Sequence, residues 1–201
     1  MNNKYCMSLS LNVLNHLGIN LYSNIPAVLS EIVANSWDAD AKNVFISIND
    51  DEIIISDDGI GMDTNDINDK FLYVGYRKRE NETISPKYQR KYMGRKGIGK
   101  LSMFSIAKEV DVISKKEISE NSYTINAFRM NIDDITKVIE TENHGDKNAA
   151  SSYHPEEISY SECQIDKTGT IIILRKLKKN TSTLTAEYIK KARCSSLWDY
   201  W

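Results

Sequence analysis

A helical pattern followed at once by a β-hairpin pattern constrains the fold of this 201-residue chain more than any other feature. Residues 25–38 carry apolar side chains at three- and four-residue spacing, which predicts an amphipathic helix with Asn24 as a candidate N-cap. Two short β-rich runs, 43–48 and 52–56, follow and are separated by a polar turn, which predicts a hairpin. A helix beside an antiparallel pair favours an α+β two-layer sandwich over strictly alternating βαβ units.

The rest of the chain continues this mixture of helices and strands. Residues 8–17 are amphipathic and moderately helical, whereas 75–96 and 141–166 show no periodicity and are interpreted as loops. The elements expected after the hairpin are helices at 64–73, 97–108 and 184–194 and strands at 110–115, 122–130 and 168–175.

The composition excludes several classes of protein. Apolar runs of the roughly 18–20 residues that span a bilayer are absent, and the N-terminus lacks the pattern of a signal peptide. The three cysteines are far apart and form no C-x-x-C pair, which argues against zinc and redox sites. We therefore expect a cytoplasmic protein that has no membrane partner.

Three polar residues interrupt the otherwise apolar first helix. Glu31 and Asn35 are four residues apart and share a face, and Asp38 lies one turn further on the same side. A carboxylate and an amide oxygen one turn apart can hold Mg²⁺ and a water molecule together, because Mg²⁺ takes few protein ligands and completes its octahedron with waters and phosphates. The alternative is a solvated helix face without function.

An acidic, glycine-containing turn follows the hairpin directly, at 56–62. Asp57 stands at the end of a strand, where its carboxylate can accept a hydrogen bond from a ligand amine. Gly59 and Gly61 permit positive φ and a close approach of the backbone to a ligand. A plain β-turn is the alternative, since Asp-Gly is common in turns.

A glycine-rich basic segment, 94–101, precedes an apolar helical stretch. Backbone N–H groups at the start of a helix bind phosphate, and the segment nearly matches a P-loop. However, Leu101 stands where a P-loop has Ser or Thr, and the preceding residues 87–92 do not form the pattern of a buried strand. A different kind of nucleotide site is therefore favoured.

These segments, in this order, resemble the motifs of the GHKL ATPases, which include gyrase B, the heat-shock chaperone ATPases, histidine kinases and MutL. The first helix looks closest to MutL and microrchidia-type ATPases. The matching patterns are E-x-x-x-N-x-x-D-A, D-x-G-x-G, G-x-x-G-x-G and a late Gly-Thr. The residues that fit them are Glu31, Asn35 and Asp38, then Asp57, Gly59 and Gly61, then Gly94, Gly97 and Gly99, and finally Gly169 and Thr170.

The resemblance implies a Bergerat fold, a two-layer α/β sandwich whose mixed, mostly antiparallel sheet has helices on one face. The domain organisation it implies is an N-terminal arm at 1–20, an ATP-binding domain at 21–180 and a C-terminal helix at 181–201 that starts a following domain. Nucleotide is expected between helices and sheet, under a lid at 64–96.

The resemblance also implies a role for each matching residue. Asp57 is expected to accept the adenine amino group, with Thr170 supporting it through water. Asn35 is expected to bind Mg²⁺, and Glu31 to orient or deprotonate the attacking water. The other nucleotide-binding residues implied are Asp38, Gly59, Gly61, Met62, Gly94, Lys96, Gly97, Ile98, Gly99 and Lys100.

The expected activity is Mg²⁺-dependent ATP binding with slow hydrolysis, in which ATP closes the lid and drives dimerisation. In GHKL enzymes of the gyrase and MutL kind, a lysine that contacts the terminal phosphate comes from the following domain. Either that domain lies outside this sequence, or Arg95, Lys96 or Lys100 takes its place. The alternative is a nucleotide-sensing module without significant turnover.

The net charge of −2 conceals an uneven distribution. Residues 77–100 contain nine basic and two acidic residues, a formal charge of +7, which leaves −9 for the rest of the chain. Such a window attracts polyanions. ATP is the polyanion expected first, nucleic acid is a second partner for the same window, and a solvated loop is the plain alternative.

Overall fold

The computed structural model describes residues 4–10, 25–73, 84–93, 99–142, 150–159, 165 and 167–178. The strands in these ranges are β1 (Met7–Ser10), β2 (Val44–Ile48), β3 (Glu52–Asp57), β4 (Ala107–Ser119), β5 (Ser122–Asn131), β6 (Ala150–Tyr153), β7 (Glu156–Glu157) and β8 (Gly169–Leu177). The helices are α1 (Ile25–Asp38), α2 (Thr64–Asp66), α3 (Gly99–Ser102) and α4 (Ile132–Glu142), with a π-helical turn at Ile67–Phe71 and a 3₁₀ turn at Met103–Ser105.

Six of these strands form one sheet in the order β2-β3-β8-β4-β5-β7. Every pairing among them is antiparallel, and β1 pairs separately with β6, also antiparallel. The fold is therefore an α+β sandwich of the Bergerat type. In the part of the chain that the structure describes, no helix is long and apolar enough to cross a membrane.

The first helix has the bounds that the sequence predicts, and each strand of the hairpin agrees with its predicted range to within one residue. Helix α1 buries Val28, Leu29 and Ile32, which follow the helical period. The hairpin of β2 and β3 is closed by the Asn49 N–H, which donates to the Glu52 carbonyl at 2.9 Å. The predicted cap residue Asn24 and the predicted C-terminal helix lie outside the described residues.

The alternation of side chains along the strands gives the sheet two faces. The inner face packs against α1 and α4 and forms the main core. The outer face carries a smaller apolar cluster, against which Ile158 and Ile165 pack. The strand residues of the main core are Ile53, Ile55, Val110, Val112, Phe128, Met130, Ile172 and Leu174, and those of the outer cluster are Ile113, Ala127, Ile171 and Ile173.

Residues 8–10 belong to strand β1, so the helix expected at 8–17 is wrong at its start. Tyr5 and Met7 are buried whereas Cys6 is exposed, which is the period of a strand. This stretch of the expected N-terminal arm packs on its own chain, pairing with β6.

The middle of the chain also differs from the expectation. The helix expected at 97–108 ends as α3 and a 3₁₀ turn, and residues 107–108 already belong to β4. Helix α4 was not predicted; it begins where the Asn131 side chain accepts from the Asp133 N–H at 2.8 Å, and it buries Ile135 and Ile139. The loop expected at 141–166 contains β6 and β7.

Candidate functional site

Helix α1 presents Glu31 and Asn35 on one face, as the sequence predicts. Asn35 is exposed, and Glu31 is half-buried with a carboxylate that forms no hydrogen bond or ion pair with the described residues. Burial raises the pKa of Glu31, and the nearby charge of Asp38 raises it further. The helix thus holds a carboxylate whose proton affinity is increased beside an amide oxygen accessible to solvent.

Asp57 lies at the end of β3, facing α1. Its Oδ1 accepts from the Gly59 N–H at 2.9 Å and the Thr170 N–H at 3.2 Å, and its Oδ2 accepts from the Ser36 hydroxyl at 2.8 Å. Burial raises the pKa of Asp57, against the opposing effect of these three donors. Helix, turn and sheet therefore converge on one carboxylate.

Asp57 is one end of a polar row that crosses four strands on the inner face. In register with it stand Thr170 on β8, Ser114 on β4 and Asn126 on β5. These three side chains are at most 8 % exposed, and the hydroxyls of Ser114 and Thr170 lie 3.0 Å apart. We call Asp57, Thr170, Ser114 and Asn126 the polar row; it closes the apolar core at this end of the sheet.

The polar row also holds the backbone of the glycine turn. The Met62 N–H donates to the Ser114 hydroxyl at 2.8 Å, and the Met62 carbonyl accepts from the Asn126 amide at 3.3 Å. The Met62 side chain is half-buried and packs against the main core. Of these contacts the sequence analysis found Asp57, Met62 and Thr170 but missed Ser36, Ser114 and Asn126.

Glycine is required at two positions of the site by backbone contacts. Gly61 has φ +71°, and a Cβ there would lie 2.0 Å from the Lys115 carbonyl oxygen of β4. Gly169 has φ +147°, and a Cβ there would lie 2.0 Å from the Asp57 carbonyl oxygen. Both glycines therefore allow the turn and β8 to close tightly around Asp57.

Asp38 has a different environment from the other two polar residues of α1. It is 2 % exposed, and its Oδ1 accepts from the Met93 N–H at 2.8 Å. The carboxylate thus contacts the backbone of residues 84–93, which belong to the later part of the expected lid. We call residues 84–93 the anchored segment.

The predicted phosphate-binding residues are only partly described. Gly94, Lys96, Gly97 and Ile98 lie outside the described residues. Gly99 is the first residue of α3, and Lys100 follows it in this four-residue helix. The structure therefore bears on the start of the helix but not on the glycine-rich turn before it.

The carboxylate and amide oxygen atoms of the site are suited to contact a nucleotide and a hard cation. A carboxylate has about four lone-pair directions, and three donors contact Asp57, which leaves room for a further amine on Oδ2. Oxygen atoms from Glu31 and Asn35 are the ligand type that Mg²⁺ prefers, directly or through water.

Comparison with known proteins yields one family and several relatives. A family model described as histidine kinase-, DNA gyrase B-, and HSP90-like ATPase matches residues 22–170. A putative type II restriction enzyme, HgiDII of Herpetosiphon aurantiacus, is 42 % identical over 178 residues, which cover 88 % of this chain and 26 % of the relative.

Chaperone proteins HtpG form a second group of relatives. That of Campylobacter jejuni subsp. doylei is 30 % identical over 127 residues, covering 51 % of this chain and 21 % of the relative. That of Borreliella burgdorferi is 29 % identical over 126 residues, covering 51 % and 20 %. The chain therefore spans about a quarter or less of the length of these curated relatives.

Proposed function

The chain belongs to the family of histidine kinase-, DNA gyrase B- and HSP90-like ATPases, and we propose that it binds ATP with Mg²⁺ between α1 and the inner face of the sheet. We further propose slow hydrolysis, in the cytoplasm. The observation that carries the site is the convergence of Ser36, Gly59 and Thr170 on Asp57, beside the helix that bears Glu31 and Asn35.

Adenine is the base that this proposal assigns to the Asp57 end. The remaining acceptor direction on Asp57 Oδ2 suits the exocyclic amino group of adenine, and Thr170 supports that contact through water. Guanine carries a carbonyl at the same place, and a site that needs a donor there rejects it. Met62 packs on the base, and Gly59 and Gly61 shape the turn that holds Met62.

The phosphate end of the site is proposed to lie along α1 and at the start of α3. Asn35 binds Mg²⁺, whose charge offsets that of the phosphates when it is bound. The family motif assigns the phosphates to a further set of residues, with Asp38 beside them. That set is Gly94, Lys96, Gly97, Ile98, Gly99 and Lys100.

Glu31 acts as the general base in this proposal. Its half-buried carboxylate, with a raised pKa, takes a proton from the attacking water. The water oxygen forms the new bond to the γ-phosphorus while the bond from that phosphorus to the β–γ bridging oxygen breaks, giving ADP and phosphate. Closing of the lid over the nucleotide and dimerisation are further steps that we propose from the family motifs.

Calorimetry with ATP and with GTP tests the site. We expect the wild-type chain to bind ATP at least about tenfold more tightly than GTP, and Asp57→Asn to lose most of its ATP affinity, since hydrogen bonds to charged groups contribute about 1.5–3 kcal/mol. The asparagine retains an oxygen for the Gly59 and Thr170 N–H groups, so the fold is expected to survive.

Asp58→Asn is the matched control. Asp58 is the neighbouring carboxylate, but it is exposed and accepts from Lys42 and Asn43 on the other side of the chain. It is expected to keep the preference for ATP over GTP. Equal affinity for GTP, or unchanged ATP affinity in Asp57→Asn, would refute the assignment of this site.

The relative with a restriction-enzyme name favours a second partner, duplex DNA. The chain is 42 % identical to that relative, and residues 77–100 carry a charge of +7. We propose that ATP turnover is coupled to DNA through this basic window. Turnover is then expected to rise when duplex DNA is added at low salt and to return to its basal rate at high salt; a rate independent of DNA at low salt would exclude the coupling.

A further inference from the structure

Asp40 is a buried carboxylate outside the ATP-binding motifs. It lies two residues beyond the end of α1, with φ +62°, and is 3 % exposed. Its oxygens accept from the Ser85 hydroxyl at 2.5 Å, the Lys87 N–H at 2.7 Å and the Tyr88 N–H at 3.1 Å. All three donors belong to the anchored segment and lie 45 or more positions from Asp40 in the sequence.

Electrostatics support a charged Asp40. Burial opposes ionisation, but the hydrogen bonds from Ser85, Lys87 and Tyr88 outweigh it, and the Arg90 charge adds to them, so the pKa of Asp40 lies below its ordinary value. At neutral pH the carboxylate is therefore ionised, and its three bonds are charge-assisted.

The anchored segment is itself an ordered turn. The Ser85 N–H donates to the Arg90 carbonyl at 2.8 Å, the Arg90 N–H donates to the Ser85 hydroxyl at 2.9 Å, and Ile84 and Lys91 form a β-bridge. The Ser85 hydroxyl thus joins the turn to Asp40 while it closes the turn. The segment is expected to move as one unit if the Asp40 contacts are lost.

Residues around the end of α1 make four further contacts with the same segment. The Arg90 guanidinium donates to the Ala41 carbonyl at 2.6 Å and stacks 4.4 Å from the Trp37 ring centroid. The Trp37 indole N–H donates to the Lys91 carbonyl at 3.2 Å, and Asp38 accepts from the Met93 N–H. Arg90 therefore helps to hold the segment against the end of α1.

We propose that Asp40 is a positioning residue for the triphosphate of the bound nucleotide. It fixes the anchored segment to the end of the helix that carries Glu31 and Asn35, so that Met93, the last residue before Gly94, has a set position relative to both. This inference rests on the proposed ATP site. It concerns the phosphates alone, because the donors to Asp57 are Ser36, Gly59 and Thr170, which lie outside the anchored segment.

The test compares ligands that differ only in their phosphates. Asp40→Asn removes the charge, and asparagine tolerates the left-handed backbone conformation at this position. We expect the Kd for ATP to rise by about tenfold or more, because a small displacement of the groups that contact the phosphates causes a large loss of affinity. The Kd for adenosine is expected to stay within about twofold of the wild-type value. Hydrogen exchange at the Lys87 and Tyr88 amides is expected to accelerate in the same variant.

Asp58→Asn is again the control, because it also loses a carboxylate with three donors at 2.7–2.8 Å, and these donors belong to Lys42 and Asn43 rather than to the anchored segment. It is expected to keep the wild-type ratio of ATP to adenosine affinity. If Asp40→Asn fails to fold, Ser85→Ala removes the donor from the other side and leaves residue 40 unchanged, with the same expected shift in ratio.

The outcomes separate the inference from the function on which it rests. Unchanged ATP affinity in Asp40→Asn, or equal losses for ATP and adenosine, would overturn the positioning role and leave the ATP site intact. Failure of the wild-type chain to bind ATP would overturn the proposed function and the inference with it. A selective loss for ATP, reproduced in Ser85→Ala, supports the role.

Discussion

Two carboxylates on the same sheet, Asp57 and Asp111, are surrounded in opposite ways. Asp57 faces inward toward α1 and receives three uncharged donors, from Ser36, Gly59 and Thr170. Asp111 faces outward, is 2 % exposed, and is bound by two guanidinium groups. Burial raises the pKa of Asp57, whereas at Asp111 the bonds to arginine outweigh burial and lower the pKa.

The outer carboxylate is saturated by its neighbours. Arg129 reaches both oxygens of Asp111, at 2.6 and 2.8 Å, and Arg175 donates to one of them at 2.9 Å. Arg175 continues to Glu52 at 2.6 Å. No cation faces Asp57 among its described contacts, so its charge stays available to a ligand. The comparison separates a charge that stabilises the sheet from a charge that we propose contacts the ligand.

Removal of the outer carboxylate is expected to have the largest effect. Asp111→Ala removes the buried partner of Arg129 and Arg175, whose side chains are 32 % and 37 % exposed. Loss of these charge-assisted hydrogen bonds should lower the free energy of unfolding by about 3 kcal/mol, because water solvates part of each guanidinium group. Urea unfolding monitored by circular dichroism measures it. The control is Glu52→Gln, at the more exposed end of the same network, where about 1 kcal/mol or less is expected.

A loss in Asp111→Ala no larger than that in Glu52→Gln would contradict the distinction between the two carboxylates. It would mean that the outer network is a solvated surface cluster. A folded Asp111→Ala sample is also expected to retain the wild-type Kd for ATP, because Asp111 lies on the face opposite Asp57.

Glu31→Gln is expected to have the second largest effect, on turnover alone. Loss of a general base lowers a rate by about 10²- to 10⁴-fold, while glutamine fills nearly the same volume. ATP hydrolysis measured by phosphate release should fall accordingly, with the Kd for ATP within about twofold of wild type. Unchanged turnover would favour the alternative of a nucleotide-sensing module in which Glu31 has no chemical role.

The parts of this fold that depend on local periodicity were accessible from the sequence. Helix α1 and the hairpin of β2 and β3 repeat apolar residues with their own periods and are bounded by turn residues. Asp57 and Gly59 were proposed as site residues because they follow a strand in a recognisable motif, and the structure places both at the end of β3. In each case the deciding residues lie within a few positions of one another.

The parts that depend on distant pairing were not accessible. Ser114 and Asn126 lie on strands that carry several other polar residues, and only the register aligns these two with Thr170 in the polar row. Strand β1 is four residues long and pairs with residues 140 or more positions away, so its period alone did not distinguish it from a helix. The contacts of Asp40 likewise depend on the position of the anchored segment.

A smaller effect is expected from pH on the binding of adenosine. Adenosine has no phosphates to titrate, so the ionisation of Asp57 dominates the contact with the amino group. Because the pKa of Asp57 is raised, the Kd of the protein for adenosine should rise as pH falls through that pKa. Below that pKa, the Kd should rise by about tenfold per pH unit. Calorimetry on Asp57→Asn provides the control, since this variant should bind adenosine weakly and with an affinity that does not depend on pH. A parallel decline of adenosine affinity in both proteins would contradict the prediction.

The smallest effect expected is that of the Asp57 charge on stability, and its sign distinguishes Asp57 from Asp111. A carboxyl whose folded pKa is raised loses stability as pH rises from its ordinary value of 3.8 through the folded value, so ionised Asp57 disfavours the folded state at neutral pH. Asp57→Asn should therefore be at least as stable as wild type at pH 7, with the difference vanishing below pH 3.8.

Asp111 has a lowered pKa, so its contribution to stability is present above pH 3.8 and is lost as pH falls through the folded pKa. Asp111→Asn should therefore be less stable than wild type at pH 7 and should approach the wild-type stability in acid. Urea unfolding of the wild type and of both variants across this pH range measures how each difference in the free energy of unfolding changes with pH. Changes of the same sign for the two variants would contradict the opposite pKa shifts of Asp57 and Asp111.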